Sequence, residues 1–377
     1  MPWKEMSIME RREEFFSFAS QEGANISLLC RQFGISRQTG YKWLGRGGTR
    51  GEQSAAAVFS DQSRRPACSP KRTCDTLEQA ILRVRDAHPA WGARKIGAVL
   101  QRDGFTPPAT STVHAVLARH NRIAPGSHAG KAFGRFEKEE PNLLWQMDFK
   151  GQFQLGNGVW CFPLTVVDDH SRFSLCIGAC DNQRTQTVKS LLEETFKAYG
   201  LPAAFYLDNG SPWGNPSGEW SALTVWMLKL GIEAIFSRPY CPQGRGKNER
   251  FHRTFKAEVL AATPFTDIIS AQKDFDRWRA IYNQERPHEG IEMKVPVSRY
   301  CPSLRSMPDT LPTVEYDSCD IVRKVSPSTP FIYFKGKEWR VPNAFKGEQL
   351  AVRPKAENKY DICFGATPIA EIDLSLT

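Results

Sequence analysis

No stretch of the 377-residue sequence is apolar for long enough to span a bilayer, and none reads as a secretory signal. A cytoplasmic protein is therefore expected rather than an embedded or exported one. Cysteine lacks any repeating spacing: the ten are scattered, so they read as reduced thiols rather than a disulfide framework. Cys68 and Cys74 lie near His88, but the spacing matches no zinc-ligand pattern. Negative charge is scarce only in the first part of the chain, where residues 1–140 hold 22 Lys and Arg against 14 Asp and Glu. Residues 141–300 hold 18 against 17, and residues 301–377 hold 10 against 10. The net charge of +9 and pI of about 9.0 point to an anionic partner such as nucleic acid or a membrane surface.

The length calls for two to four domains. Residues 1–50 read as three short helices: Glu5 to Glu22 with apolar Ile8, Met9, Phe15, Phe16 and Phe18, then Ile26 to Phe33, a turn at Gly34, and Arg37 to Leu44 capped by Ser36. This is a helix-turn-helix layout, in which the last helix enters the major groove. Arg37, Gln38 and Lys42 are then the DNA-facing side chains, with Ile35, Tyr41 and Trp43 among the packing residues. Residues 51–73, rich in Gly, Ser, Ala and Arg, read as a mobile basic linker. Residues 74–122 read as a second helix-turn-helix or winged-helix unit, with Ser111 capping its third helix and Arg94 and Lys95 as DNA contacts. Residues 123–140 form another basic connector.

Residues 141–300 have a different texture. Leu144 to Phe149, Trp160 to Val167 and Arg172 to Cys180 read as strands, followed by a helix over Thr187 to Tyr199 and a short strand over Ala204 to Leu207. Next come a helix over Glu219 to Leu230, a strand over Ile232 to Phe236, and two further helices, the last from Ile268 to Tyr282. The order β-β-β-α-β-α-β-α is that of a ribonuclease H-like mixed sheet covered by helices. After a linker over 301–318, six short strand candidates in residues 319–377 are expected to close into a small all-β barrel, because closure removes exposed edges. The expected fold is thus multidomain: all-α units, a central α/β core, and a terminal all-β module.

Three acids of the core stand out. Asp148 interrupts an apolar strand, Asp208 ends the fourth strand, and Glu249 begins the helix after the fifth; their separations are 60 and 41 positions. In a mixed sheet of this order the first and fourth strands are neighbours, so the two aspartates converge at one edge and Glu249 closes the set. A carboxylate between Met147 and Phe149 needs a partner, since burying an unpaired charge is costly. All-oxygen donors suit Mg²⁺ or Mn²⁺. Glu249 is the lone acid among Arg245, Lys247, Arg250, Arg253 and Lys256, which read as DNA contacts behind a loop carrying Gly244 and Gly246. Asp168 and Asp169, in a turn, read as structural.

These segments resemble the integrase catalytic core of insertion-sequence transposases of the Asp-Asp-Glu class, related to retroviral integrases. The resemblance rests on Leu144-Trp145-Gln146-Met147-Asp148-Phe149, Val167-Asp168-Asp169-His170-Ser171-Arg172, Leu207-Asp208-Asn209-Gly210, and the run from Ser237 to Thr254. Tyr282-Asn283 and Arg286-Pro287-His288 resemble the end of that core. The resemblance implies metal-dependent cleavage at transposon ends and strand transfer, with Asp148, Asp208 and Glu249 as catalytic metal ligands for two ions. It also implies double-stranded DNA as partner, a homo-oligomer on DNA, and a prokaryotic, nucleoid-associated protein. The competing class is a catalytically silent DNA-binding repressor or assembly factor of the same fold. The sequence departs from the family pattern between Asp208 and Glu249, where Ser211 to Ser217 makes a longer loop beside the site.

Overall fold

Short polar side chains begin the helices of the N-terminal part. In the computed structural model, which describes residues 6–48, 58–61, 72–123, 137–214, 220–237, 246–261 and 264–376, Ser7 and Glu10 form a capping box on helix α1 (Ile8–Ala19). Asn25 caps α2 (Ile26–Gln32), and the Ser36 hydroxyl accepts the Thr39 amide at 3.2 Å at the start of α3 (Arg37–Gly48). Gly34, at φ +66°, supplies the turn between the last two. The core of this unit (Met1–Arg72) is Phe15, Ala19, Cys30, Trp43, Val58 and Phe59. A Cβ on Gly40 would fall 2.6 Å from the Cys30 sulfur, and one on Gly47 would fall 2.0 Å from the Phe16 ring, so α3 packs closely only because these positions are bare. Tyr41 is not a packing residue: it is 60% exposed, and Ile8, Met9 and Phe18 are also largely solvent-facing.

The second unit (Thr73–Thr377) starts with another three-helix cluster, α4 (Asp75–Ala87), α5 (Ala93–Arg102) and α6 (Thr110–Arg119). Ile81, Trp91, Ile96, Val113 and Val116 form its centre. Buried Glu78 ties α4 to the end of α6 through Arg119 (3.0 Å) and His120 (2.5 Å). Ser111 is not the cap of α6; the helix starts two residues earlier than that cap would set it, after Ala109, which makes no side-chain cap. Pro107 and Pro108 restrict the chain just before it, and the helix begins soon after they release it. Most of the expected linkers over 51–73 and 123–140 lies outside the described residues.

The core sheet has β1 (Trp145–Phe149) at its centre, antiparallel to β3 (Trp160–Asp168) and parallel to β5 (Ala204–Leu207), with β6 (Glu233–Phe236) parallel beyond β5. β4 (Ser174–Cys180) and a two-residue β2 (Phe153–Gln154) pair with β3. Alternation sends Trp145, Met147, Leu164, Val166, Phe205 and Leu207 to one face, against α7 (Thr185–Tyr199) and α8 (Ala222–Lys229). Cys161, Val167 and Ile177 face the other layer, built from α9 (Gly246–Phe255) and α10 (Ile268–Gln284). A π-helical turn, Lys256–Leu260, continues α9.

β4 has a free edge, and α10 covers it with side chains. Gln272 bonds the Ala179 amide and the Ile177 carbonyl (2.7 and 2.9 Å), Arg279 donates to the Leu175 carbonyl (2.5 Å), and Asn283 bonds both the amide and carbonyl of Ser174 (2.8 and 2.9 Å). This is one way of satisfying an edge that would otherwise pair with another chain. The Tyr282-to-His288 motif is thereby explained as structure. Arg286 pairs with Glu258 of the π turn at 2.9 Å, and His288 packs edge-on to Tyr282.

The terminal module does not close into a barrel. It is a four-stranded antiparallel sheet, β7 (Ile321–Lys324), β10 (Gln349–Ala356), β11 (Lys359–Phe364) and β12 (Thr367–Asp373), in the order β12-β11-β10-β7, with a separate hairpin of β8 (Phe331–Phe334) and β9 (Lys337–Arg340). Lys335 and Gly336 both have positive φ and make the two-residue turn that joins β8 to β9. Closure is not needed because other surfaces cover the apolar face: Ile332 and Phe334 of the hairpin, and Val225, Leu228 and Trp220 of the core domain.

Two stability predictions follow from this packing. Asn283→Leu leaves the Ser174 amide and carbonyl without their partner in a buried position and is expected to cost ~2–4 kcal/mol in urea unfolding. His288 is held well below the usual histidine range by burial, with Arg286, Lys95 and Arg172 acting in the same direction. Its Nε2 faces the Arg286 guanidinium at 3.4 Å, and a guanidinium can only donate, so the ring is neutral when folded. The unfolded chain binds a proton there below about pH 6.5 and the folded chain does not, so stability is full above that pH and falls on acidification, by at most ~1.4 kcal/mol per pH unit. Unfolding curves between pH 7.5 and 5 should show this slope reduced in His288→Gln.

Candidate active site

The pairing of β1 with β5 brings the two aspartates together. Trp145 is opposite Phe205 and Gln146 opposite Tyr206; carried forward, this register sets Asp148 opposite Asp208, at the carboxyl ends of adjacent parallel strands. That end is where open α/β sheets bind ligands. Met147 and Leu207 face the α7–α8 layer, so alternation turns Asp148 to the opposite face, where α9 packs, while Asp208 follows the last residue of β5. Asp148 is half-buried rather than enclosed, because β1 emerges from the core at this point.

Asp208 leaves β5 into a tight loop. Its Oδ1 accepts the Gly210 amide at 3.0 Å and the indole N–H of Trp213. A Cβ on Gly210 would sit 3.2 Å from that oxygen, so the backbone hugs the carboxylate. Asn209 donates to the Ser237 carbonyl at 3.0 Å, tying the loop to the end of β6.

α9 is amphipathic, with Asn248, Phe251, His252 and Phe255 buried and Glu249, Arg250, Arg253 and Lys256 exposed on its open side. His252 anchors it. The Thr165 hydroxyl donates to the Asp148 carbonyl at 2.9 Å and meets His252 Nε2 at 2.8 Å. A hydroxyl has one proton to give, so Nε2 is the donor to it. The helix carrying Glu249 is thus bonded, through β3, to the strand carrying Asp148. Among the described residues, however, no three Asp, Glu, His or Cys side chains come close enough to cage a metal ion, so Glu249 is not gathered with the two aspartates here. Their all-oxygen donor set still fits Mg²⁺ or Mn²⁺.

The basic residues separate into distinct environments. Lys247 is not solvent-facing: its ammonium pairs with the Asp169 carboxylate, which is fully buried and also accepts Gln146 Nε2 and the Lys138 amide, both at 2.8 Å. Burial lowers the Lys247 ammonium, and Asp169 opposes the shift. The neighbouring Asp168 accepts the Asn142 and Ser171 amides and the Ser171 hydroxyl, so both turn aspartates are structural. Lys95 is half-buried, lowered by desolvation and by Arg286, whereas Arg94 is exposed, 3.9 Å from Glu289. Arg37, Gln38 and Lys42 are exposed on α3. Arg245 and Gly244 lie outside the described residues. A groove of about 480 Å³ opens between Lys150–Gln154 and the Lys256–Leu260 turn. Sequence reasoning missed Thr165, His252 and Trp213, although a threonine inside an apolar strand and a tryptophan in the extra loop were visible signals.

Residues 138–242 match an integrase core domain, residues 230–296 match a second integrase core model, and residues 320–377 match the C-terminal domain of IS481 family transposases. The chain therefore carries an integrase core domain followed by a C-terminal domain of the kind found in IS481 family transposases. The chain is 27% identical over 259 residues to the insertion element IS476 uncharacterized 39.2 kDa protein of Xanthomonas euvesicatoria, an alignment spanning 66% of this chain and 71% of that protein. It is 24% identical over 318 residues to the transposase for transposon Tn552 of Staphylococcus aureus, spanning 74% of this chain and 65% of that one. Among solved structures, a simian T-cell lymphotropic virus intasome in complex with PP2A regulatory subunit B56 gamma aligns with a TM-score of 0.38 and 15% identity, over 77% of this chain and 99% of that chain. No helix among the described residues is long and apolar enough to cross a membrane.

Substitution separates the two kinds of lysine and arginine on α9. Lys247→Met strands the buried Asp169 charge and is expected to cost ~3 kcal/mol of stability. Arg253→Met, at an exposed position, should stay within about 0.5 kcal/mol. Parallel urea unfolding of the two variants checks the contrast.

Proposed function

We propose that the chain is a transposase that cuts DNA at the ends of a mobile element and joins those ends to target DNA, with Asp148, Asp208 and Glu249 as catalytic residues. The observation that supports this most directly is the β1–β5 register, which, carried past its last paired residues, brings Asp208 beside Asp148 at the carboxyl ends of the two strands, with Asp148 turned toward Glu249's helix. The three carboxylates would hold two Mg²⁺ or Mn²⁺ ions, which when bound supply activation of a water or 3′-hydroxyl nucleophile and stabilisation of the leaving oxygen.

The chain's own residues do the remaining work. Arg250, Arg253 and Lys256, on the open side of α9, bind backbone phosphates and hold the DNA end against the carboxylates. Arg245 extends the same basic run in sequence. Lys247 contributes by holding α9 to the Asp169 turn rather than by touching DNA. In the N-terminal unit, exposed Arg37, Gln38 and Lys42 on α3 read the terminal repeat in the major groove, with residues 1–50 acting as a helix-turn-helix. Residues 74–122 add a second contact through Arg94, residues 141–300 carry out the chemistry, and residues 319–377 brace the core. Two element ends must be handled together, so the transposase works as a homo-oligomer on double-stranded DNA in the bacterial cytoplasm.

Labelled end DNA gives the test. Glu249→Gln should bind the terminal repeat within about twofold of the parent protein and yield neither nicked nor joined product in Mg²⁺; normal joining by this variant would sink the assignment.

A further inference from the structure

The loop after Asp208 is longer than the family pattern, and the cut-and-join reading gives it no task. Its structure supplies one. Trp213 is 1% exposed, and a buried indole needs a partner for its N–H. That partner is Oδ1 of Asp208, the same oxygen that accepts the Gly210 amide. The Gly214 amide closes the turn back on the Gly210 carbonyl at 3.0 Å. The other side of the indole stacks on Phe149, the residue after Asp148, with ring centroids 5.5 Å apart and planes 23° from parallel. One side chain therefore holds the carboxylate of the second aspartate and packs on the neighbour of the first.

We propose that Trp213 is a positioning residue that fixes the Asp208 carboxylate relative to the strand carrying Asp148, so that the two aspartates present a preset pair of donors to a divalent cation. The inference rests on the reading that these acids hold metal. Two donors on one oxygen restrain rotation of the carboxylate, and the stacked ring sets how far the loop stands from β1. Groups that orient a ligand in this way typically change metal affinity 10- to 100-fold when removed. A purely space-filling Trp213 predicts something else, because phenylalanine occupies most of the same volume and keeps the stacking.

Trp213→Phe in the full-length chain decides between these roles. Mn²⁺ binding would be followed by the loss of the free-ion electron paramagnetic resonance signal, and the Mg²⁺ concentration for half-maximal end cleavage measured in parallel. Weakening of both by 10- to 100-fold, with melting within a few degrees of the parent, is the expected result; unchanged values for both would overturn the proposal. Phe149→Leu, which keeps the N–H and removes the stacked ring, is the second variant and should weaken Mn²⁺ binding several-fold; parent-like binding there counts against the stacking half of the argument. Asp208→Asn isolates the underlying reading: if it binds Mn²⁺ and cleaves like the parent, the aspartate holds no metal, a failure distinct from that of Trp213.

Discussion

The parallel pairing of β1 with β5 is the constraint on which the rest of the molecule depends. It is a pairing of few residues between strands 60 positions apart in sequence, and its register fixes which side chains share a face. A slip of one residue in β1 would turn Asp148 into the α7–α8 layer and bring Met147 to the α9 side. Much of the surrounding structure prevents that slip. Trp145 packs edge-on to Phe205 across the two strands, and its indole donates to Asn142, whose own amide is bonded to Asp168. Thr165 bonds the Asp148 carbonyl from the antiparallel side. The centre of the sheet is therefore locked from both neighbours.

The core also buries polar side chains, and Asp169 and Glu258 each secure a join between distant segments. Asp169 links the chain at Lys138 to α9 through Lys247. Glu258 links the π turn to Arg286 and to Trp278 at the far end of α10. Buried ion pairs contribute little net stability compared with apolar packing, but removing one partner is expensive. They specify one arrangement of the helices over the sheet more than they strengthen it.

Much of this was legible before the structure. The strands of the core and their order follow from apolar runs and their separators, and the adjacency of the strands bearing Asp148 and Asp208 follows from that order. What was not legible depended on partners remote in sequence. Lys247 looks like its neighbours Arg250 and Arg253; only the arrival of Asp169, 78 positions away, distinguishes it. The expected barrel failed for a similar reason. Six strand candidates can be read locally, but α8, which helps cover the sheet, is far upstream. The two-residue β2 is too short to show any alternation, and the π turn at Lys256 has no periodic signature of its own.

The glycines of α3 carry a further consequence. Four of its twelve residues, Gly40, Gly45, Gly47 and Gly48, are among the poorest helix formers, each costing about 1 kcal/mol relative to alanine in a helix interior. Left to itself this segment would not stay helical; its order is borrowed from Phe15, Phe16 and Cys30, against which the bare positions seat. The rigidity with which α3 presents Arg37, Gln38 and Lys42 is then a property of its neighbours' packing, so damage inside that small core would blur the surface without altering a single residue on it.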